Sequence, residues 1–266
     1  PVHPELLDWL AVEFMESGWD VKHIVRTMLM SQTYRRTSEP TFALQEKDPF
    51  NRLHGRQTAR RLDAEFIRDN ALAVSGLLNV TIGGRSSKPY QPKDYYIDLN
   101  FPKRTYHADH DANQFRRGLY VHWQRTYLHP AMMNFDAPTR EECTAERPVS
   151  NTPLQALTLL NDPSFVEAAK AFGGRILNSN RKDDGERLDF AFREAFSRRA
   201  EQREQDALLR LLNSQRDYFR KNPRQAEKLL STGISGIPSH LSVVDTAAWT
   251  SVARALLNKH EFVMRY

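Results

Sequence analysis

The chain has 266 residues, with 38 Lys+Arg against 33 Asp+Glu, a net charge of +5, 40% apolar residues, 25 Gly+Pro and a single cysteine. One cysteine excludes an internal disulfide framework, a four-cysteine zinc site and the C-x-x-C-H motif that attaches a c-type haem. The stretch Asn70–Gly84, the most apolar run without a long block of charge, is too short and too rich in Asn, Ser and Gly to span a bilayer.

The charge is spread along the chain. Residues 1–50 carry 5 basic and 8 acidic side chains, residues 51–100 carry 8 and 5, and no later block of fifty exceeds +2. A nucleic-acid footprint needs basic residues gathered on one face, so this mixing argues against such a partner. Among the basic residues 28 are Arg and 10 are Lys. Arginine grips carboxylates and phosphates bidentately, so the excess fits internal ion-pair networks or an anion-binding surface; a GC-rich genome produces the same bias.

Residues 1–16 carry four acids and no Lys or Arg, unlike a secretory leader. Pro4 is placed to open a helix in which Leu6, Leu7, Leu10, Ala11 and Phe14 recur at helical spacing up to Gly18. Asp20 is a cap for a second helix with the stripe Val21, Ile24, Val25, Met28 and Leu29. This abrupt start is expected of a chain that continues a longer one. Residues 37–51 read as polar loop, broken at Pro40 and Pro49. The pattern then predicts a long helix from about Gln57 to Ser75. On it Arg61, Glu65 and Arg68 share a face at i,i+4 and i,i+3, either as a carboxylate held by two arginines for proton transfer or as a structural ion-pair ladder.

The middle of the chain, residues 76–148, loses helical periodicity. Between Tyr90 and Phe135 lie ten of the 27 aromatic residues. The alternation of Leu119, Val121 and Trp123 predicts a short strand or an extended segment. Such an aromatic segment suits either sugar or peptide binding or an arm that wraps a helical core, and aromatic burial favours the arm. Within it His107, Asp109, His110, Asp111 and Asn113 are the candidate metal ligands. Asp109, Asp111 and Asn113 occupy the first, third and fifth positions of a calcium loop, but Gln114 stands at the sixth and Tyr120 at the twelfth; the two histidines with an aspartate would instead suit zinc. A solvated polar loop is the competing reading. Cys143 sits among Glu141, Glu142 and Glu146, which oppose thiolate formation, and it reads as structural.

Helical text resumes after Pro148. Thr152-Pro153 and Asp162-Pro163 are two consecutive cap-plus-proline starts, followed by helices predicted over 186–196, 201–220 and 239–266, with a short turn near 224–230. The fold class is therefore mainly α: a helical domain over 1–266 with helical flanks at 1–75 and 149–266 around an extended, aromatic-rich arm containing one or two short strands. No nucleophile elbow, phosphate loop, dinucleotide fingerprint or H-E-x-x-H motif is present.

Several blocks resemble a known family. They are Asn151-Thr152-Pro153-Leu154-Gln155-Ala156-Leu157 with Leu160-Asn161-Asp162-Pro163, His3-Pro4-Glu5-Leu6-Leu7, Arg61-Leu62-Asp63-Ala64-Glu65 with Ile67-Arg68-Asp69, Arg116-Arg117-Gly118-Leu119-Tyr120, Phe135-Asp136-Ala137-Pro138, and Ala248-Trp249 with Ala255-Leu256-Leu257-Asn258. In this order they are similar to the planctomycete-specific domain of unknown function 1553, found at the C-terminal end of planctomycete cytochrome C proteins. The resemblance implies the C-terminal portion of an exported, periplasmic multidomain protein. Its upstream domains are the expected partners, together with polysaccharide or another periplasmic protein, and haem is expected only on an upstream domain. No activity is established for this portion.

Two functions follow as expectations. One is a non-catalytic helical accessory or scaffold module. The other is a hydrolase or lyase acting on an anionic polysaccharide, with Arg61, Arg68, Arg116, Arg117 and Arg125 as anion-binding residues and Asp136 or Glu65 as acid or base.

Overall fold

The computed structural model describes residues 1–98 and 104–265. Phe101 of the aromatic arm and Tyr266, the predicted last residue of the C-terminal helix, lie outside the described residues. Twelve α-helices and one two-stranded sheet make the described chain mainly α. Their order is α1 (Pro4–Glu16), α2 (Val21–Met30), α3 (Phe42–Lys47), β1 (Arg60–Arg61), α4 (Ala64–Ser75), α5 (Pro130–Asn134), α6 (Pro153–Asn161), α7 (Pro163–Leu177), α8 (Asp184–Phe196), α9 (Gln202–Lys221), α10 (Pro223–Leu230), α11 (Val243–Leu257), α12 (His260–Val263) and β2 (Met264–Arg265). No described helix is long and apolar enough to cross a membrane.

Two compact units divide these elements. The first comprises residues 1–61 with Met264 and Arg265. Its helices start where the sequence says they should: Pro4 occupies the first turn of α1, and the Asp20 carboxylate accepts from the N–H groups of Lys22 and His23 at the start of α2. Helix α3 was not expected. Thr41 caps it by accepting from Leu44 N, so the polar 37–51 segment contains one short helix. The unit closes on β1 and β2, which pair antiparallel with Arg60 opposite Arg265 and Arg61 opposite Met264.

The second unit, residues 62–263, holds the large core. Helix α11 packs against α7 and α9, and α7 also packs on α4. Trp249, Val252, Leu256 and Leu257 of α11, Phe172 and Ile176 of α7, Phe192 of α8 and Leu212 of α9 are essentially inaccessible to solvent. Each such side chain contributes roughly 1.5–3 kcal/mol by leaving water. The helices approach closely because Gly173 faces α11: a Cβ there would lie 2.9 Å from Thr250 N. Asp162 caps α7 by accepting from Ser164 N.

Two expectations of local structure need correction. The helix predicted from Gln57 begins at Ala64, because residues 60–61 are drawn into β1 and Leu62 N donates to Val263 O at 2.8 Å. Arg61 is therefore on a strand, and the Arg61–Glu65–Arg68 ladder does not form as a helical face. The predicted strand at 118–123 is instead a 3₁₀ turn over Gly118–Tyr120 followed by a single bridge from Val121 to Ser87. The turn forms because Gly118 is pressed against α4: a Cβ on it would stand 2.7 Å from Glu65 Cα, and its N–H donates to Asp69 Oδ1 at 2.6 Å. Cys143, read from the sequence as structural, is exposed and free.

Candidate functional site

Three of the candidate arginines, Arg68, Arg116 and Arg117, gather where the arm lies on α4. Arg68 is 4% exposed, and its guanidinium donates to the carbonyls of Arg116 (2.5 Å) and Gln114 (2.6 Å). Desolvation pulls its pKa down, opposed by Asp69 and Asp162, which keep a counter-charge near. Asp69, raised by burial, accepts from Gly118 N. Arg116 continues the chain of contacts outward. It is 2% exposed, donates to Arg85 O at 2.5 Å, to Thr81 O at 3.2 Å and to Gly83 O, and stacks 3.9 Å from the centre of the Tyr120 ring. The Arg117 guanidinium sits 5.8 Å from the same ring. Both cations thus grip the backbone or an aromatic face of the arm, an arrangement that orders a segment lacking its own ladder of hydrogen bonds.

The proposed acids and bases are also engaged. Arg147 donates to both Glu65 oxygens, at 2.7 and 3.3 Å. Asp136 has a left-handed backbone (φ 60°), and its carboxylate accepts from Ser150 N and Ser150 Oγ at 2.9 Å each, fastening α5 to the start of the following segment. Arg125 is exposed and contacts Glu141 at 3.3 Å. Arg61 lies in β1 of the first unit.

The metal candidates separate by role. Asp109 is buried, one oxygen accepting from Arg85 (2.8 Å) and the other from Lys88 N (2.8 Å). Asp111 caps the 3₁₀ turn Ala112–Phe115 and accepts from Asn113 N and Nδ2 at 2.9 Å. Among the described residues no group of three or more His, Cys, Asp or Glu is arranged to hold a metal ion. His107 and His110 line a cavity of about 590 Å³ together with Tyr95, Tyr96, Tyr106 and Arg104. Tyr96 meets Tyr106 edge to face at 5.5 Å and Tyr127 at 5.7 Å.

A second cavity, about 660 Å³, opens between the C-terminal half of α7, Phe190 of α8 and the loop before α11. Arg175 and Arg181 flank the Phe190 ring at 5.6 and 5.7 Å. Arg175 is held by Glu194 (2.6 Å) and by Val74 O (2.7 Å). At the cavity floor Lys170, 1% exposed, donates to the carbonyls of Leu230 (3.3 Å), Thr232 (2.6 Å) and Ser235 (2.6 Å), and burial lowers its pKa. One turn earlier the equally buried Glu167 accepts from Ser235 N at 2.5 Å. The Tyr90 hydroxyl, pushed up to about 12 by burial and by Glu167, accepts from Ile234 N at 3.1 Å. Among the described residues no Asp, Glu or His lines this cavity, and its polar lining is of cations, amides and hydroxyls.

Sequence reasoning missed Glu167 and Lys170. The signal was present as a Glu and a Lys at i,i+3 inside the otherwise apolar stretch Phe165–Gly174. No curated protein and no solved structure is matched by the chain. The model of the family described as PSD1, protein of unknown function (DUF1553), matches residues 1–212, and the chain belongs to that family.

Proposed function

We propose that this chain is a non-catalytic helical accessory module of an exported multidomain protein, joined in the same polypeptide to upstream domains that include a cytochrome c-like one. The observation that supports this reading is the employment of the candidate residues: Arg68 and Arg116 are spent on five backbone carbonyls, Glu65 on Arg147 and Asp136 on Ser150. A general acid or base must reach a substrate proton, and a carboxylate already bidentate to an arginine is poorly placed for it. The same contacts make the arm a rigid surface, and the tyrosine cavity gives that surface an aromatic recess suited to a polysaccharide or a protein neighbour. Periplasmic location and the upstream haem domain come from the family resemblance; this portion needs no cofactor of its own.

The test is an activity assay of the purified protein on anionic polysaccharides, with polygalacturonate and dextran sulfate as probes. The module reading expects no turnover. Turnover that disappears in Asp136→Asn or Glu65→Gln while the melting temperature holds would establish the hydrolase or lyase alternative.

A further inference from the structure

The pairing of β1 with β2 sets Arg60 directly opposite Arg265. Directly opposed residues of an antiparallel pair project to the same face with Cβ atoms about 4.5–5.5 Å apart, and like charges there repel. A two-stranded ribbon of two residues per strand has little pairing energy with which to offset that repulsion. Neither Arg60 nor Arg265 has an ion pair or hydrogen bond from its guanidinium to any described residue.

Both arginines line a cavity of about 210 Å³ within the first unit. Arg56 and His54 line it as well, with Thr58 and Tyr34, and among the described residues no Asp or Glu does. The cations are held in place. Arg56 donates to Asp48 O (3.2 Å) and Pro49 O (2.9 Å), and the Arg265 guanidinium rests 4.6 Å from the centre of the Tyr34 ring. Asp48 has turned its carboxylate onto the N–H groups of Arg52 and Leu53.

We infer that this cavity binds a compact, doubly charged oxyanion, a sulfate or phosphate group, gripped between Arg60 and Arg265 with Arg56 behind it. The guanidiniums of Arg60 and Arg265 balance two negative charges and offer forked donors to several oxygens at once, while Arg56, its donors held by Asp48 O and Pro49 O, adds positive potential behind them. The recess has room for such a group. The inference is independent of the accessory role proposed above, because it rests on the first unit alone.

The test is calorimetric titration of the full chain at pH 7 and constant ionic strength with inorganic sulfate and phosphate, against acetate and chloride. Glucose 6-sulfate is a further arm that separates an esterified group from the free ion. Saturable sulfate or phosphate binding is expected, weakened at least tenfold in Arg60→Gln and in Arg265→Gln, and unchanged in Arg220→Gln, a change at an exposed arginine of α9 paired with Asp217. Without anion, Arg60→Gln is expected to melt at or above the temperature of the parent chain, since it relieves repulsion; Arg60→Lys provides a second variant that keeps the charge and loses the fork. Absence of saturation beyond that of chloride, or binding untouched by both Gln variants, would overturn the inference.

Discussion

Arg68 donates to the carbonyl of Arg116, 48 residues further along the chain, at 2.5 Å, and Arg116 in turn donates to Arg85 O at the same distance. Two arginines in relay thus carry hydrogen bonding from helix α4 through the middle of the arm to its first loop. The arm has isolated bridges and turns in place of a sheet, so these guanidiniums supply donors that strand neighbours would otherwise supply.

Replacing Arg68 by Met should therefore cost about 2–4 kcal/mol, since it leaves the buried carbonyls of Gln114 and Arg116 without donors. Urea unfolding measures the loss. Hydrogen exchange should show it concentrated in the arm, with amides near Gly118 and Tyr120 exposed before those of α7 and α11. A loss spread evenly over the protein would mean that Arg68 supports the core and not the arm.

Gly118 makes the complementary case by shape. A Cβ at this position meets Glu65 Cα, Cβ and O at 2.7–2.9 Å, and the backbone of α4 cannot yield as a side chain could. Gly118→Ala should destabilise by about 1–3 kcal/mol through overpacking. Gly236→Ala, where nothing lies within 4 Å and φ is not positive, should be neutral or stabilising by about 0.4–1 kcal/mol through the unfolded chain. Thermal melts of the two variants decide the contrast; equal effects would remove close approach as the reason for Gly118.

These residues also show where the sequence was readable. The starts of α1, α2, α6 and α7 were legible because cap and proline act within three or four residues. The mainly helical class followed from the same local signals. The arm was legible only as a loss of periodicity, since its order depends on contacts 46–48 residues apart that leave no local trace. Arg61, Glu65 and Arg68 looked like one helical face at their spacing, and strand pairing by β2, two hundred residues away, removed Arg61 from it. The grip of Lys170 on three carbonyls was hidden for the same reason: its partners lie 60–65 residues downstream.

His129 gives the fold a pH dependence of definite sign. Its ring is buried, Nε2 lies 2.7 Å from Tyr90 O and so carries the proton, and desolvation pushes its pKa down to about 4 from the model-peptide value of 6.5. The unfolded chain takes up a proton below pH 6.5 that the folded chain refuses until about pH 4. Stability is complete above 6.5 and falls as the pH drops through that window, by up to roughly 3 kcal/mol. His129→Gln, which retains an amide donor and cannot titrate, should flatten the unfolding free energy between pH 6.5 and 4. An unchanged slope would assign that dependence to other groups.

A separate acid window belongs to Glu204. Arg198 donates to both of its oxygens at 2.7 and 2.8 Å, Lys259 bonds to it as well, and it accepts from Glu201 N at 2.9 Å. Arg198 also reaches Glu261 at 2.6 Å, so the α8–α9 loop, α9 and α12 meet in one network of two cations and two carboxylates. The side-chain hydrogen bond from Arg198 is the largest influence, and the carboxyl pKa falls from 4.5 to about 2. Because the folded value is the lower one, the stabilisation is present above pH 4.5 and lost as the pH falls towards 2. The side chain is 21% exposed, so solvent screening reduces the contribution to roughly 1–2 kcal/mol. Glu204→Gln should lose that amount at pH 7 and show a shallower decline below pH 4.5 than the parent chain. Added salt separates the two windows: 1 M NaCl, with a Debye length of about 3 Å, should weaken the Glu204 contribution and leave the burial-driven His129 dependence in place.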